Sequence, residues 1–584
     1  MSIPGKCRAP ALLALVLLFT ACGQSVPTAD NAGPDATVIV NAVADRYFEF
    51  TLETTPERAY FVGLDLDRHD GIADNSPAAR RAREAVADEL LGQLDDVDID
   101  SLLGKPEWTT HAYLSQALKS SIDRRVCRTE MWNVNQMGGW HLQYTRVAQL
   151  QPIGSADLRE QSLVRWSRFA AYIDQEIENL RHGLELGYSA PKTVVQRVVD
   201  QVDGLLTLSV ELSPFYSPAK RDEDDRFVAA TRELVAEQIY PALRRYRDYL
   251  AESYMAEARD VLSVTANPDG ADCYEASLRY YTTLDRSGKE VYELGQATVA
   301  ANKKRVIGLG RSAYELGDFR EIMERAKSDP ADRFSNEDEL LEFSRDVVAR
   351  AEAEMPNWVG NMPQQPVAVV PFEEHEEGTG RSAHYRAGTD ERPGEYRIPL
   401  YEPEEQSRGN AEATAFHEAW PGHHLQVAIG QSVDGKHPAT RLIWFSGPGE
   451  GWARYSEGLA EEMGLYRTTT GPIKRLAWPA RGMVVDPGIH LFGWTREEAI
   501  EFMMESGRFA DNRGDEMVDR IAILPGQLTA YDSGGLEILA LRREAEIALG
   551  DDFDIREFHD RILQNGTIPL VQLRASIEAW LAEQ

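Results

Sequence analysis

The chain has 584 residues, 43% of them hydrophobic and 27% charged, which is the composition of a soluble globular protein with material for a large core. Its 95 acidic residues against 62 basic ones give a formal net charge of −33. There is no basic excess to neutralise phosphates, so nucleic acid is excluded as the partner.

In chain order, the N-terminus comes first as an address. Lys6 and Arg8 precede an apolar run from Ala9 to Phe19, too short to span a bilayer as a helix and proportioned like the core of a signal peptide over residues 1–21. Small residues then lead into Cys22, a pattern like a bacterial lipobox with Phe19 where Leu is usual. Lipidation of Cys22 would tether the protein by acyl chains. Gly23 and Gln24 follow without an Asp, which favours the outer membrane facing the periplasm over inner-membrane retention. A simple secretory signal is the alternative. Residues 22–44 are small and polar and are expected to form a flexible tether.

Residues 45–356 carry helical periodicity. Segments 78–94, 158–186, 193–208, 225–259 and 289–316 space apolar residues three and four apart. Ser335 opens a capping-box pattern for a helix running to about Met355. This N-terminal lobe is expected to be scaffold that builds one wall of a cleft. In an oxidising compartment Cys127 and Cys273 are either a disulfide or two buried thiols. At Pro356 the texture changes, and residues 367–372, 384–386 and 394–400 are predicted as three short strands.

The densest chemistry lies at Ala411 to Gly430. His417, Glu418, His423 and His424 fall within eight residues. Imidazole is the commonest nitrogen ligand of zinc, and a Glu directly after a ligating His is placed to take a proton from metal-activated water. The helical H-E-x-x-H form is absent, because Pro421 stands at i+4 from His417. On an undistorted helix the histidines at i+6 and i+7 would sit about 9–10.5 Å further along the axis, too far to share one ion. Pro421 must therefore break the helix, and Gly422 must let the chain return. His423 is favoured over His424 as second ligand, because Gly-His-x-Leu restarts like the second half of a zinc-helix motif.

Four motifs together carry a resemblance: HEAWPGHHLQ, GEGWARYSE at 449–457, VVDPGIHLFGW at 484–494 and LPGQLTAY at 524–531. They resemble the bacterial domain-of-unknown-function family 885, which is grouped by similarity with gluzincin-like zinc metallopeptidases. The resemblance runs from about residue 45 to near the C-terminus. It implies a mainly α, multi-helix, two-lobed metallopeptidase-like fold with a small β-sheet beside the metal helix. Residues 357–584 would be the metal-site half, and 45–584 one continuous domain.

By the same resemblance the third ligand comes from a following helix and is assigned to Glu450. Glu457, two turns on, suits a role orienting a ligand His or serves as an alternative ligand, as does His424. Glu418 is the expected general base. His490 and Tyr531 are both candidates for the donor to a developing oxyanion. The strand from Tyr396 to Tyr401 is the candidate edge for holding substrate backbone, giving Tyr396 and Ile398 as substrate-binding residues, or else an ordinary hairpin. Arg481 is a candidate for pairing with a substrate carboxylate. The expectation is a hydrolase of peptide bonds using one Zn2+ per chain, meeting a membrane only through its lipid anchor. A non-catalytic binding lipoprotein and a metal amidohydrolase on non-peptide amides are the alternatives. Phosphate-loop and Gly-x-Ser-x-Gly signatures are absent.

Overall fold

Apolar residues spaced three and four apart fold the chain into helices that bury one stripe each, and the polar residues before them supply the caps. Ser76, Ser155 and Asp224 each accept a hydrogen bond from the first turn of the helix they precede, and Ser287 with Glu290 forms a reciprocal capping box. The computed structural model describes residues 35–374, 376–377, 381–389, 391–508 and 513–584. Cys22 and the signal segment lie outside them. Residues 36–584 form one compact unit, mainly α with a single small sheet among the described residues. None of the described helices is long and apolar enough to cross a membrane.

Three expectations about organisation need correction. The first helix spans Ala36–Thr54 and so begins inside the stretch expected to be a tether. Val40, Val43 and Ala44 are fully buried against Leu90, Leu94, Leu114 and Leu118, and that burial orders a segment whose composition alone looks like linker. The boundary at 356 is not a boundary of cores: Tyr113, Leu284 and Val347 pack in the same cluster as Ile398, Phe416, Trp452 and Leu541. The capping box also shifts by one residue. Asn336 accepts from the Glu339 amide, while the Glu339 carboxylate accepts from the Ser335 amide.

The 158–186 segment is two helices, Ala156–Ser167 and Phe169–Glu185, and π-turns at Val235–Ile239 and Tyr249–Tyr254 interrupt the one after residue 225. Cys127 and Cys273 are joined in a disulfide.

The sheet has the order β1 (Val367–Pro371), β3 (Gly394–Ile398), β2 (His384–Arg386). β1 runs parallel to β3, and β2 is antiparallel to it with Tyr385 opposite Tyr396. The central strand β3 buries Gly394, Tyr396 and Ile398 and alternates them with half-buried residues, the period-two pattern of a strand covered on one face. β3 is therefore no edge. The edge that faces the helix Arg408–Glu418 belongs to β2, whose Tyr385 amide donates to Glu418.

The helices Ser446–Glu462 and Ala530–Leu549 cross through glycines. A Cβ on Gly451 would lie 2.6 Å from Gly534 Cα, and one on Gly534 would lie 2.0 Å from the Gly447 carbonyl oxygen. The glycines of Gly447-Pro-Gly-Glu-Gly are thus a backbone contact, and any side chain there would push the Glu450 helix away.

The DPGIH motif is likewise structural. Asp486 Oδ1 accepts from the Tyr274 hydroxyl and the Gly526 amide, each at 2.9 Å, while Oδ2 is buried without a partner. Burial pushes this carboxyl up to about 7. The folded chain then keeps a proton between pH 4 and 7 that the unfolded chain has lost, so this group makes stability fall as pH rises through that window. Asp486→Asn, which keeps the acceptor and cannot ionise, is expected to gain on the wild type by roughly 2–4 kcal/mol between pH 4 and pH 8. Urea unfolding at the two pH values measures it, and parallel stability curves would contradict it.

Candidate metal centre

The helix Arg408–Glu418 presents His417 and Glu418 at its last turn. Its start is fixed by the Ser407 hydroxyl accepting from the Asn410 amide and by Asp332 Oδ1 accepting from the Gly409 amide. Its middle is fixed by the fully buried Glu412, which accepts from Arg350 at 2.6 Å and from the Arg467 amide at 2.9 Å. The helix stops at Glu418, and a second one starts at His423 and runs to Ser432. Between them the chain turns through Ala419, Trp420, Pro421 and Gly422. A Cβ on Gly422 would stand 1.9 Å from the His417 carbonyl oxygen, so only glycine lets the returning chain lie against the end of the first helix. Gly422 has φ −79°, and close approach, not a left-handed conformation, is what requires it.

The turn is clamped from the Glu450 helix. The Trp452 indole donates to the Pro421 carbonyl at 2.9 Å, and the Ser456 hydroxyl donates to the same oxygen at 3.2 Å. GEGWARYSE can therefore be resolved residue by residue. Its glycines set the helix crossing, Trp452 and Ser456 hold the histidine turn, and Glu450, Arg454 and Glu457 face the site.

Glu450 Oε2 lies 3.3 Å from His417 Nε2 and 3.4 Å from His423 Nε2. The donor atoms of these three residues all lie within 4.8 Å of one another. Metal bonds of about 2.0–2.1 Å at tetrahedral angles put donor atoms roughly 3.3–3.4 Å apart. The two separations from Glu450 match that spacing, and three such ligands would leave a tetrahedral divalent ion one open position.

Charge points the same way. His417 sits between Glu450 and Glu457; burial works against its proton, but hydrogen bonds to the two carboxylates prevail and carry it up to about 10. Burial would raise Glu450 and Glu457, yet the two histidines hold Glu450 far below its ordinary range, and Arg454 with His417 holds Glu457 down at about 2.

Glu457 Oε1 lies 2.9 Å from His417 Nδ1 and also accepts from Arg454 Nη1 at 2.7 Å. Arg454 reaches on to Asp532 at 3.0 Å. A carboxylate on Nδ1 fixes the ring and leaves Nε2 as the free donor atom. Glu457→Gln is expected to weaken zinc binding roughly 10- to 100-fold without abolishing it, as measured by competition with a chelator. An unchanged affinity would reduce Glu457 to a packing residue.

Glu418 Oε2 accepts from the Tyr385 amide of β2 at 2.8 Å. Burial raises its carboxyl, and the neighbouring histidines pull it back. His424 points elsewhere: it is fully buried, with Tyr385 Oη 3.1 Å from Nδ1 and the Gln365 carbonyl 3.1 Å from Nε2. Its contacts hold the sheet against the helix.

These groups open into a cleft of ≈ 1320 Å³. Tyr531 lines it and receives a 3.4 Å contact from Arg520. Tyr396 and Ile398 also line it but are almost wholly buried and form its floor. Two expected site residues do not reach it. His490 is buried, with Nδ1 accepting from the Val264 amide at 3.1 Å and Nε2 3.0 Å from the Ile521 carbonyl, so it ties two segments together. Arg481 is completely buried and donates to the carbonyls of Ala477 and Phe502 and to Glu505. The cleft lining begins at Lys327, so the helices before it support the site without forming its wall.

Sequence reasoning missed Arg454, Asp532, Tyr385 and Arg508. Arg454 had a usable signal, one turn from both Glu450 and Glu457 on the same helix. Tyr385 had none, since its contact with Glu418 depends on strand order.

The model of the family described as "Bacterial protein of unknown function (DUF885)" matches residues 56–577. The chain belongs to this family. A search of curated proteins gave no match. Two solved structures share the DUF885 chain's fold. "The putative lipoprotein from Colwellia psychrerythraea" is 23% identical with a TM-score of 0.85, over 94% of this chain and 100% of its own. A "putative lipoprotein of unknown function from Shewanella oneidensis" is 18% identical with a TM-score of 0.76, over 92% of this chain and 99% of its own. At these identities the likeness is one of fold.

Proposed function

We propose that this DUF885 protein is a zinc-dependent hydrolase of peptide bonds, anchored in the bacterial envelope through Cys22. The observation that carries the reading is the convergence of His417 Nε2 and His423 Nε2 on Glu450 Oε2, all within 4.8 Å of one another, beside the carboxylate of Glu418. A zinc ion held by those three residues would lower the pKa of water toward neutrality and polarise a carbonyl oxygen.

Glu418 does the proton work. With Oε2 fixed by the Tyr385 amide, the carboxylate is aimed into the cleft, where it takes the proton of the attacking water and hands it to the leaving amine. Tyr531 is the group to donate to the developing oxyanion; burial keeps its hydroxyl protonated, and its neighbour Arg520 steadies it. The Tyr385 amide marks the free edge of β2 as the one beside Glu418. An extended substrate backbone laid along that edge would run past the reacting groups. The envelope address is supported by the lipobox at Cys22 and by the word lipoprotein in the names of the two structural neighbours.

Metal analysis of the purified protein, followed by a screen of unbiased peptide mixtures, tests the proposal. One zinc per chain and zinc-dependent cleavage are expected. Folded protein without zinc in zinc-replete buffer would overturn it. Zinc with no cleavage would turn the reading toward non-peptide amides or toward a binding lipoprotein.

A further inference from the structure

Acidic residues outnumber basic ones by half again in this chain, so a guanidinium has carboxylates to spare as partners. Several of the cations around the cleft have found one. Arg454 holds Glu457 and Asp532, Lys474 holds Asp332, and Arg475 holds Glu461. Arg333 donates only to the Glu405 and Lys327 carbonyls, and Arg520 and Arg508 also lack a carboxylate partner among the described residues. Arg520 spends Nε and Nη2 on the neutral Gln527 carbonyl and on the Tyr531 hydroxyl, and no carboxylate pairs with it among the described residues. The Arg508 side chain makes no hydrogen bond or ion pair at all among the described residues, although it is open to the cleft.

Arg508 is exposed to the cleft and lies within electrostatic reach of Glu418, Glu457, Tyr396 and Arg454. The surrounding protein lowers its hold on its own proton, and its exposed guanidinium has donors to offer an incoming anion. Arg520 also lines the cleft, one hydroxyl away from the site through Tyr531. Guanidinium groups left with free donors match the planar, two-oxygen geometry of a carboxylate.

We propose that the cleft selects substrates that carry a carboxylate close to the bond to be cut, held by Arg508 and Arg520. The proposal rests on the peptidase reading for the bond, and on the two unpaired cations for the anion. A carboxylate can come from a free C-terminus or from an Asp or Glu side chain, and the experiment separates them.

Binding is measured by isothermal titration on zinc-loaded Glu418→Gln protein, where turnover does not interfere. Three probes are used: N-acetyl pentaalanine with a free C-terminus, its C-terminal amide, and the amide with one glutamate in place of alanine. At least one carboxylate-bearing probe should bind roughly 10- to 100-fold tighter than the plain amide. Preference for the free C-terminus assigns the pair to the chain end, and preference for the glutamate assigns it to a side chain.

Adding Arg508→Gln and Arg520→Gln should bring the ratio close to one, leaving zinc content unchanged. Equal binding of all three probes, a preference that survives both substitutions, or no binding of any probe would overturn the proposal. A protein that holds zinc and cleaves peptides without the preference loses only this inference. A protein without zinc that still discriminates, through the two arginines, loses only the peptidase reading.

Discussion

Glu418→Gln is expected to lower peptide hydrolysis by roughly 10²- to 10⁴-fold, the usual contribution of a positioned general base, while zinc stays at one per chain. The amide is isosteric and its oxygen can still accept from the Tyr385 amide, the only hydrogen bond the Glu418 side chain receives from the described residues. What disappears is the ability to take a proton. Steady-state kinetics beside metal analysis on the same sample reads both quantities. Activity within threefold of the wild type would remove Glu418 from the chemistry. Loss of zinc together with activity would make it a ligand instead.

Removing a ligand should act on the metal first. His417→Ala and His423→Ala are each expected to abolish stoichiometric zinc and, with it, all activity, because two donors and an open pocket cannot hold the ion as three do. His424→Ala should keep its zinc, since both ring nitrogens face Tyr385 and Gln365 and none faces Glu450. It should lose some stability, because it empties a buried site and leaves the Gln365 carbonyl unpaired. Mass-spectrometric metal counts on the three variants decide the matter. Zinc retained without His417 or His423, or lost without His424, would mean that a different set of atoms forms the site.

Local chemistry and long-range packing divided the legible from the hidden. Residues 77–95, 192–207 and 288–314 fold as helices close to where apolar spacing puts them, because a helix satisfies its own backbone and shows its buried stripe in the sequence. The break at Pro421 is legible for the same reason, since proline removes a donor whatever surrounds it. His417, Glu418, His423 and Glu450 stand out through residue type and spacing alone, and the structure brings them together.

Misjudgements came where a residue's role depends on a partner far along the chain. His490 and Arg481 carry chemistry that would suit a site, but Val264 and Ile521 engage both ring nitrogens of the one, and Ala477, Phe502 and Glu505 engage the three guanidinium nitrogens of the other. Ala36 to Ala44 looks like tether until Leu90, Leu94 and Leu114 cover it.

What the sequence by itself determined, then, is the mainly helical class, the helix breaks and the stretch where a metal site would form, because propensity, capping and ligand type act within one turn of the chain. Only the tertiary structure decided that β3 is central and β2 the edge beside Glu418, and that Glu457 and Arg454 fix His417. The tertiary structure alone likewise set Asp486 and His490 as ties in the core and left Arg508 in the cleft without a hydrogen-bonded carboxylate among the described residues. Those outcomes depend on contacts between residues tens to hundreds of positions apart. Burial and charge at such contacts are properties of the packed neighbours and are written nowhere in the local sequence.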